Sequence, residues 1–79
     1  MEEKLCFVSV EFIDDPNVVG IKYWYECPIK TVQVGDYVIA PLGRHNNLQR
    51  GVVREVRMAN EYESPFPIYL IKHVKSIVN

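Results

Sequence analysis

Few side chains in this sequence have the types and spacing that catalysis needs. Cys27 with His45 or His73 would supply a nucleophile and a base, but nothing in the spacing brings a thiol and an imidazole together. Asp14 and Asp15 are adjacent, so on an extended chain they point to opposite sides and make a poor shared acid–base pair. Their stretch, "DDPN", suits turn capping instead. Gly20, Gly35, Gly43 and Gly51 are isolated, which leaves no glycine loop of the phosphate-binding kind. Cys6 and Cys27 form no C-x-x-C pair, so neither a zinc knuckle nor a disulfide framework is suggested. Two buried thiols in a reducing compartment are expected. These residues predict a protein that is not an enzyme and carries no cofactor and no metal.

Binding is better served. Small β-barrels bind on a strand face bounded by loops, using aromatic rings for stacking and cations for phosphate. "YWY" (Tyr23, Trp24, Tyr25) offers rings, and Arg44, Arg50, Arg54 and Lys72 offer charge. The same rings also suit a core: in a small domain Trp24 and at least one tyrosine are natural interior residues. Net charge is −1, so the chain as a whole makes no electrostatic case for nucleic acid. Its charges are nevertheless segregated. Residues 1–15 hold five acids, Glu2, Glu3, Glu11, Asp14 and Asp15, against Lys4, leaving −4. Residues 41–57 hold Arg44, Arg50, Arg54 and Arg57 against Glu55, leaving +3. That pattern gives either a basic face or solvated charge spread around a barrel.

The elements that must position these groups read as strands. "KLCFVSVEF" puts Cys6, Val8, Val10 and Phe12 on one face of an extended chain. "GIKYWYE" is dense in β-branched and aromatic residues, with Tyr23 and Tyr25 on one face and Trp24 on the other, and it stops at Pro28. One of those two faces is expected to be wetter than the other. "TVQVGDYVIAP" places a tight turn at Gly35 and Asp36, then a strand closed by Pro41, which lacks the N–H to continue a ladder. "QRGVVREVR" resumes as a strand, but adjacent Val52 and Val53 cannot share a face, and Gly51 beside that phase slip predicts a bulge or sharp bend. "ANEYESPFPIY" is a polar connection with two prolines and room for a short helical turn, and "YLIKHVKSIV" is the last strand.

A chain of 79 residues is one domain near the lower limit for an unstapled core, and 48% hydrophobic with 24% charged residues is globular composition. Short strands with turn signals and no useful helix predict an all-β domain over residues 1–79. Its expected form is a small five- to six-stranded barrel, OB-like or SH3-like, because closure removes exposed edges in a chain too short for a sandwich. No apolar run approaches a membrane span, and "MEEKLCFVSV" has acids where a signal peptide would carry lysines. A cytoplasmic protein with no membrane partner and no small-molecule cofactor is expected.

The stretch "VQVGDYVIAPLGRHNNLQRGVVREV", preceded by "KYWYECP", resembles the N-terminal 3′ DNA-binding domain of the primosomal protein N′ family of replication-restart helicases. That domain carries an aromatic–Asp–Tyr and a proline, a Val-x-x-Gly, a strand ending in Val-Pro-Phe-Gly-Lys/Arg, a polar loop, and Gly-hydrophobic-Val-Val. Here the matching residues are Tyr23, Trp24, Tyr25, Pro28, Val32, Gly35, Val38, Pro41, Leu42, Gly43, Arg44, Gly51, Val52 and Val53, while "FVSVEF" and "LIKHVKSIV" suit its first and last strands. The resemblance covers nearly the whole chain. It implies an OB-like barrel that holds the terminal nucleotide of a single-stranded DNA 3′ end. The implied contacts are Tyr23, Trp24, Gly43 and Lys72, with Arg44 beside them to meet phosphate. Trp24 stands where the family has the aspartate that interacts with the terminal 3′ hydroxyl, and an indole donates but cannot accept. The family's domain leads into a large helicase, so a free-standing copy with no ATPase is expected, working in DNA replication restart either on DNA or with a replication or repair protein. The second possibility, a protein-interaction barrel that has lost the nucleotide pocket, is favoured by the near-neutral charge and the acidic N-terminal segment. "LGRHNNLQR" is then a loop at the barrel mouth, or else a solvated hairpin in which Asn46 and Asn47 supply turn geometry.

Overall fold

The computed structural model describes residues 4–78. Six strands form one sheet in the order β5-β2-β1-β4-β3-β6: β1 (Leu5–Glu11), β2 (Lys22–Glu26), β3 (Tyr37–Leu42), β4 (Asn47–Ala59), β5 (Lys72–His73) and β6 (Ser76–Ile77). The domain is all-β, a curled, half-barrel sheet consistent with small OB-like and SH3-like barrels. The acidic Glu2 and Glu3 lie outside the described residues.

β1 forms the spine, antiparallel to β2 on one side and to β4 on the other. Its alternation works as the period predicts. Cys6, Val8, Val10 and Phe12 point into the main core with Tyr25, Cys27, Val38, Ala40 and Val53. The opposite face is not wet. Phe7 is fully buried there, beneath Ile71 and Ala59, with Trp24 and Ile68 packed alongside. Ile68 and Ile71 from the connection after β4 pack on this outer face, yet on β2 the face with Lys22, Trp24 and Glu26 is still the wetter of the two, since Tyr25 on the other is buried.

β4 is long enough to serve two neighbours: Asn47–Val52 pair with β3 and Val52–Ala59 pair with β1. The register slips between Ser9–Glu55 and Val10–Val53, which makes Arg54 the extra, bulged residue. Because of that residue Val53 and Val56, three apart, both turn inward. The bulge thus falls three residues beyond Gly51. Gly51 serves the bend differently: a Cβ there would meet Val10 Cγ1 at 2.4 Å, so β1 and β4 close on each other only over a hydrogen.

β3 runs through Pro41 to Leu42 instead of closing at Pro41, since the proline's missing N–H interrupts one bond and its carbonyl is still available. The hairpin to β4 turns over four residues, with Gly43 at φ 80° and Asn46 at φ 53°, and Asn46 N–H donates to Gly43 O at 3.2 Å. Residues 61–63 make a single 3₁₀ turn closed by Asn60 and Glu63 in a reciprocal capping box.

The predicted last strand is two short pieces. β5 runs parallel to β2 at one end of the sheet and β6 antiparallel to β3 at the other. Val74 N–H donates to Glu26 O at 2.9 Å and Lys75 N–H to Ile39 O at 2.8 Å, so consecutive residues bond opposite edges. The curled sheet is tied across its opening by its own chain.

Candidate functional site

The tie is short, and that fact creates a site. β5 covers only Tyr25 and Glu26 of the outer edge of β2, and β6 covers only Val38 and Ile39 of β3. Beyond those pairs the two edges separate around a cleft of about 350 Å³. One wall is β2 from Lys22 to Tyr25, a second is Leu42 and Gly43 at the start of the β3–β4 turn, and a third is Phe66, Leu70, Ile71 and Lys72.

Two hydrogen bonds span the seam. Tyr25 Oη donates to Pro41 O at 2.6 Å, linking β2 to β3. Lys72 Nζ donates to Gly43 O at 2.8 Å, linking β5 to the hairpin turn. Burial, with the neighbouring Tyr23 phenol second, pushes the Tyr25 hydroxyl well above the usual phenol range. It therefore stays a neutral donor across the physiological range. Gly43 both holds a left-handed turn and offers its carbonyl to Lys72, a combination that leaves no room for a side chain's φ preference.

Four of the five residues singled out from the sequence, Tyr23, Trp24, Gly43 and Lys72, line this one cleft. Arg44 does not line it; it lies exposed in the turn immediately after Gly43. Tyr23 leans on Phe12, with ring centroids 5.9 Å apart, and is only half-buried. The Trp24 ring is partly committed elsewhere: it packs against the Phe7 cluster, and the Arg57 guanidinium sits 4.8 Å above it. Phe66 and Leu70, which no sequence motif singles out, remain 47% and 54% exposed at the rim. Phe66 sits between the two prolines of the polar connection, whereas Leu70 falls in the stretch read as the last strand. Lys22, Tyr25, Leu42 and Ile71 complete the lining.

The arginines of the basic segment do not form a continuous basic face. Arg50 pairs with Asp14 at 3.2 Å, Arg54 with Glu11 at 2.9 Å and Arg57 with Glu55 at 3.1 Å. Acids from the N-terminal segment thus neutralise much of the +3 stretch, because β1 lies directly against β4. Asp15 caps its own turn, accepting from Asn17 N–H at 3.0 Å. The thiol–imidazole option is not assembled: Cys27 is buried, its thiol donating to Ile29 O at 3.3 Å, while His73 Nε2 turns to Glu26 at 3.4 Å. Both cysteines are free, and burial raises both thiols above their usual range. Among the described residues no group of three or more His, Cys, Asp and Glu could hold a metal ion, and no helix is long and apolar enough to cross a membrane.

Comparison with models of protein families, with curated proteins and with solved structures returns no match.

Proposed function

We propose that this domain is a single-stranded DNA-binding module that takes a strand end into the cleft and performs no catalytic step of its own. The observation that carries the reading is convergence. Tyr23 and Trp24 on β2, Gly43 after β3 and Lys72 on β5 are far apart in sequence, and they meet around one opening. Those are the positions that the resemblance to the primosomal protein N′ domain assigns to the terminal nucleotide. The chemistry suits a strand end. A half-buried tyrosine and an exposed apolar rim can take a base, a lysine amine is already fixed at the mouth, and Arg44 lies one residue beyond for the adjoining phosphate. With few phosphates engaged, affinity should be modest, in keeping with a cytoplasmic accessory to replication restart.

A second reading, a protein-interaction barrel, is favoured by one observation: the pairing of Arg50, Arg54 and Arg57 with acids removes most of the sequence's basic stretch from use. Titration of a short, fluorescently labelled single strand separates the two. Engagement of Lys22, Arg44 and Lys72 predicts a loss of about twentyfold in affinity between about 50 and about 200 mM salt. Lys72→Ala and Arg44→Ala should each weaken binding at low salt. No binding at low salt, or binding that both variants leave unchanged, overturns the DNA reading in favour of a protein partner.

A further inference from the structure

Resting on the DNA reading and narrowing it, we propose that the strand end taken by the cleft is one that terminates in a phosphate monoester. The basis is the charge lining the opening. Lys22 on β2 and Lys72 on β5 both contribute to it, and none of its lining residues is an aspartate or glutamate. A backbone diester brings one negative charge, whereas a monoester brings about −1.5 to −2 near neutral pH. Two lysines and no acidic residue among the lining match the second better than the first.

The neighbouring acids are already occupied. Glu11, the cross-strand partner of Lys22, is held by Arg54 at 2.9 Å and by Gly20 N–H at 3.0 Å. Glu26 faces His73 at 3.4 Å. Lys72 is held in place, since its amine donates one N–H to Gly43 O at 2.8 Å and keeps two for a ligand. The cleft volume of about 350 Å³ is near the lower end for small-molecule sites, about 300–1000 Å³, which suits one terminal nucleotide better than a run of several. A phosphate placed between the lysines would leave its base beside Tyr23 and the apolar rim of Phe66 and Leu70.

The test uses one labelled oligothymidylate prepared with a 3′ phosphate, with a 5′ phosphate, or with hydroxyls at both ends, each titrated into the protein at low salt. One added charge attracted by two lysines through a largely aqueous, screened opening predicts about fivefold tighter binding of a phosphate-ended strand. Lys22→Ala and Lys72→Ala should each shrink that ratio, and Lys22 is exposed enough that its removal leaves folding intact. Arg44→Ala should weaken all three strands alike and leave the ratio unchanged. Preference for the 3′-phosphate strand supports the inference with the polarity the resemblance implies; preference for the 5′-phosphate strand supports the terminal phosphate and overturns that polarity. Equal binding of all three strands, or a preference that both lysine variants leave intact, overturns the inference while leaving DNA binding standing. Failure of every strand to bind overturns both.

Discussion

Gly51→Ala is the substitution whose cost the structure fixes most closely. The added methyl would sit 2.4 Å from Val10 Cγ1, with Glu11 O and Phe12 Cδ1 each at 3.1 Å. Carbon atoms prefer about 3.5–4.0 Å. Val10 and Phe12 are fully buried, so neither side chain can swing into solvent, and the third neighbour is backbone. Relief must come from moving β1 against β4 at the tightest point of the curl. Such overpacking costs about 1–3 kcal/mol, and this site belongs near the top of that range. Alanine offsets about 0.4–1 kcal/mol of that by restricting the unfolded chain, leaving a net loss of about 2 kcal/mol. A domain of this size has about 4–12 kcal/mol of stability in all, and each kcal/mol moves Tm by about 4–8 °C. A fall of about 8–16 °C is therefore expected in thermal unfolding followed by circular dichroism, with a matching drop in the urea midpoint. Gly20→Ala is the control: its φ of 86° is unfavourable for alanine, but no atom lies within 4 Å of the new methyl, so the loss should be about 1 kcal/mol. Gly51→Ala within about 0.5 kcal/mol of the parent would refute the reasoning, because it would mean that the sheet yields where close approach is argued to hold it.

Tyr25→Phe removes the strut from β2 to Pro41 O and leaves that carbonyl without its 2.6 Å partner; urea titration should show a loss of about 1–2 kcal/mol, and an unchanged midpoint would mean the strut adds nothing to stability. Glu11 titrates below the usual carboxylate range, chiefly through its bond from Arg54 and then that from Gly20 N–H. A lowered folded-state pKa contributes stability above the unfolded value that is lost as pH falls through the folded one. The difference between the parent and Glu11→Gln should therefore be largest near neutrality and vanish in acid, and a difference independent of pH would sink that account.

Much of the architecture could be read from local signals. Alternation in residues 6–12 identified the inner face of β1, and the turn at Gly35 follows from backbone geometry alone, with φ at 96°. What escaped was non-local. Nothing near Phe7 shows that residues 60–71 will fold back over it, since the cover comes from Ile68 and Ile71, some sixty positions away. The arginines looked like a basic stretch because their partners Glu11 and Asp14 reach them only through the β1–β4 alignment. The bulge was expected at Gly51 because glycine is the visible residue, whereas register placed it at Arg54. At the site, similarity of pattern brought together Tyr23, Trp24, Gly43 and Lys72, but Phe66 belongs to a connection with no periodicity to read, and Leu70 was expected in a last strand that begins only at Lys72.

The tie between Val74 and Lys75 has a kinetic consequence. Its two hydrogen bonds join residues 26 and 39 to the last part of the described chain, so a nascent domain emerging from the ribosome can assemble β1 to β4 but cannot close. Until residues 72–78 arrive, the outer edges of β2 and β3 are both open for pairing with another chain. One late event masks both. Conversely, a single local detachment of that segment bares both edges together to a protease or to a neighbouring chain in search of a strand.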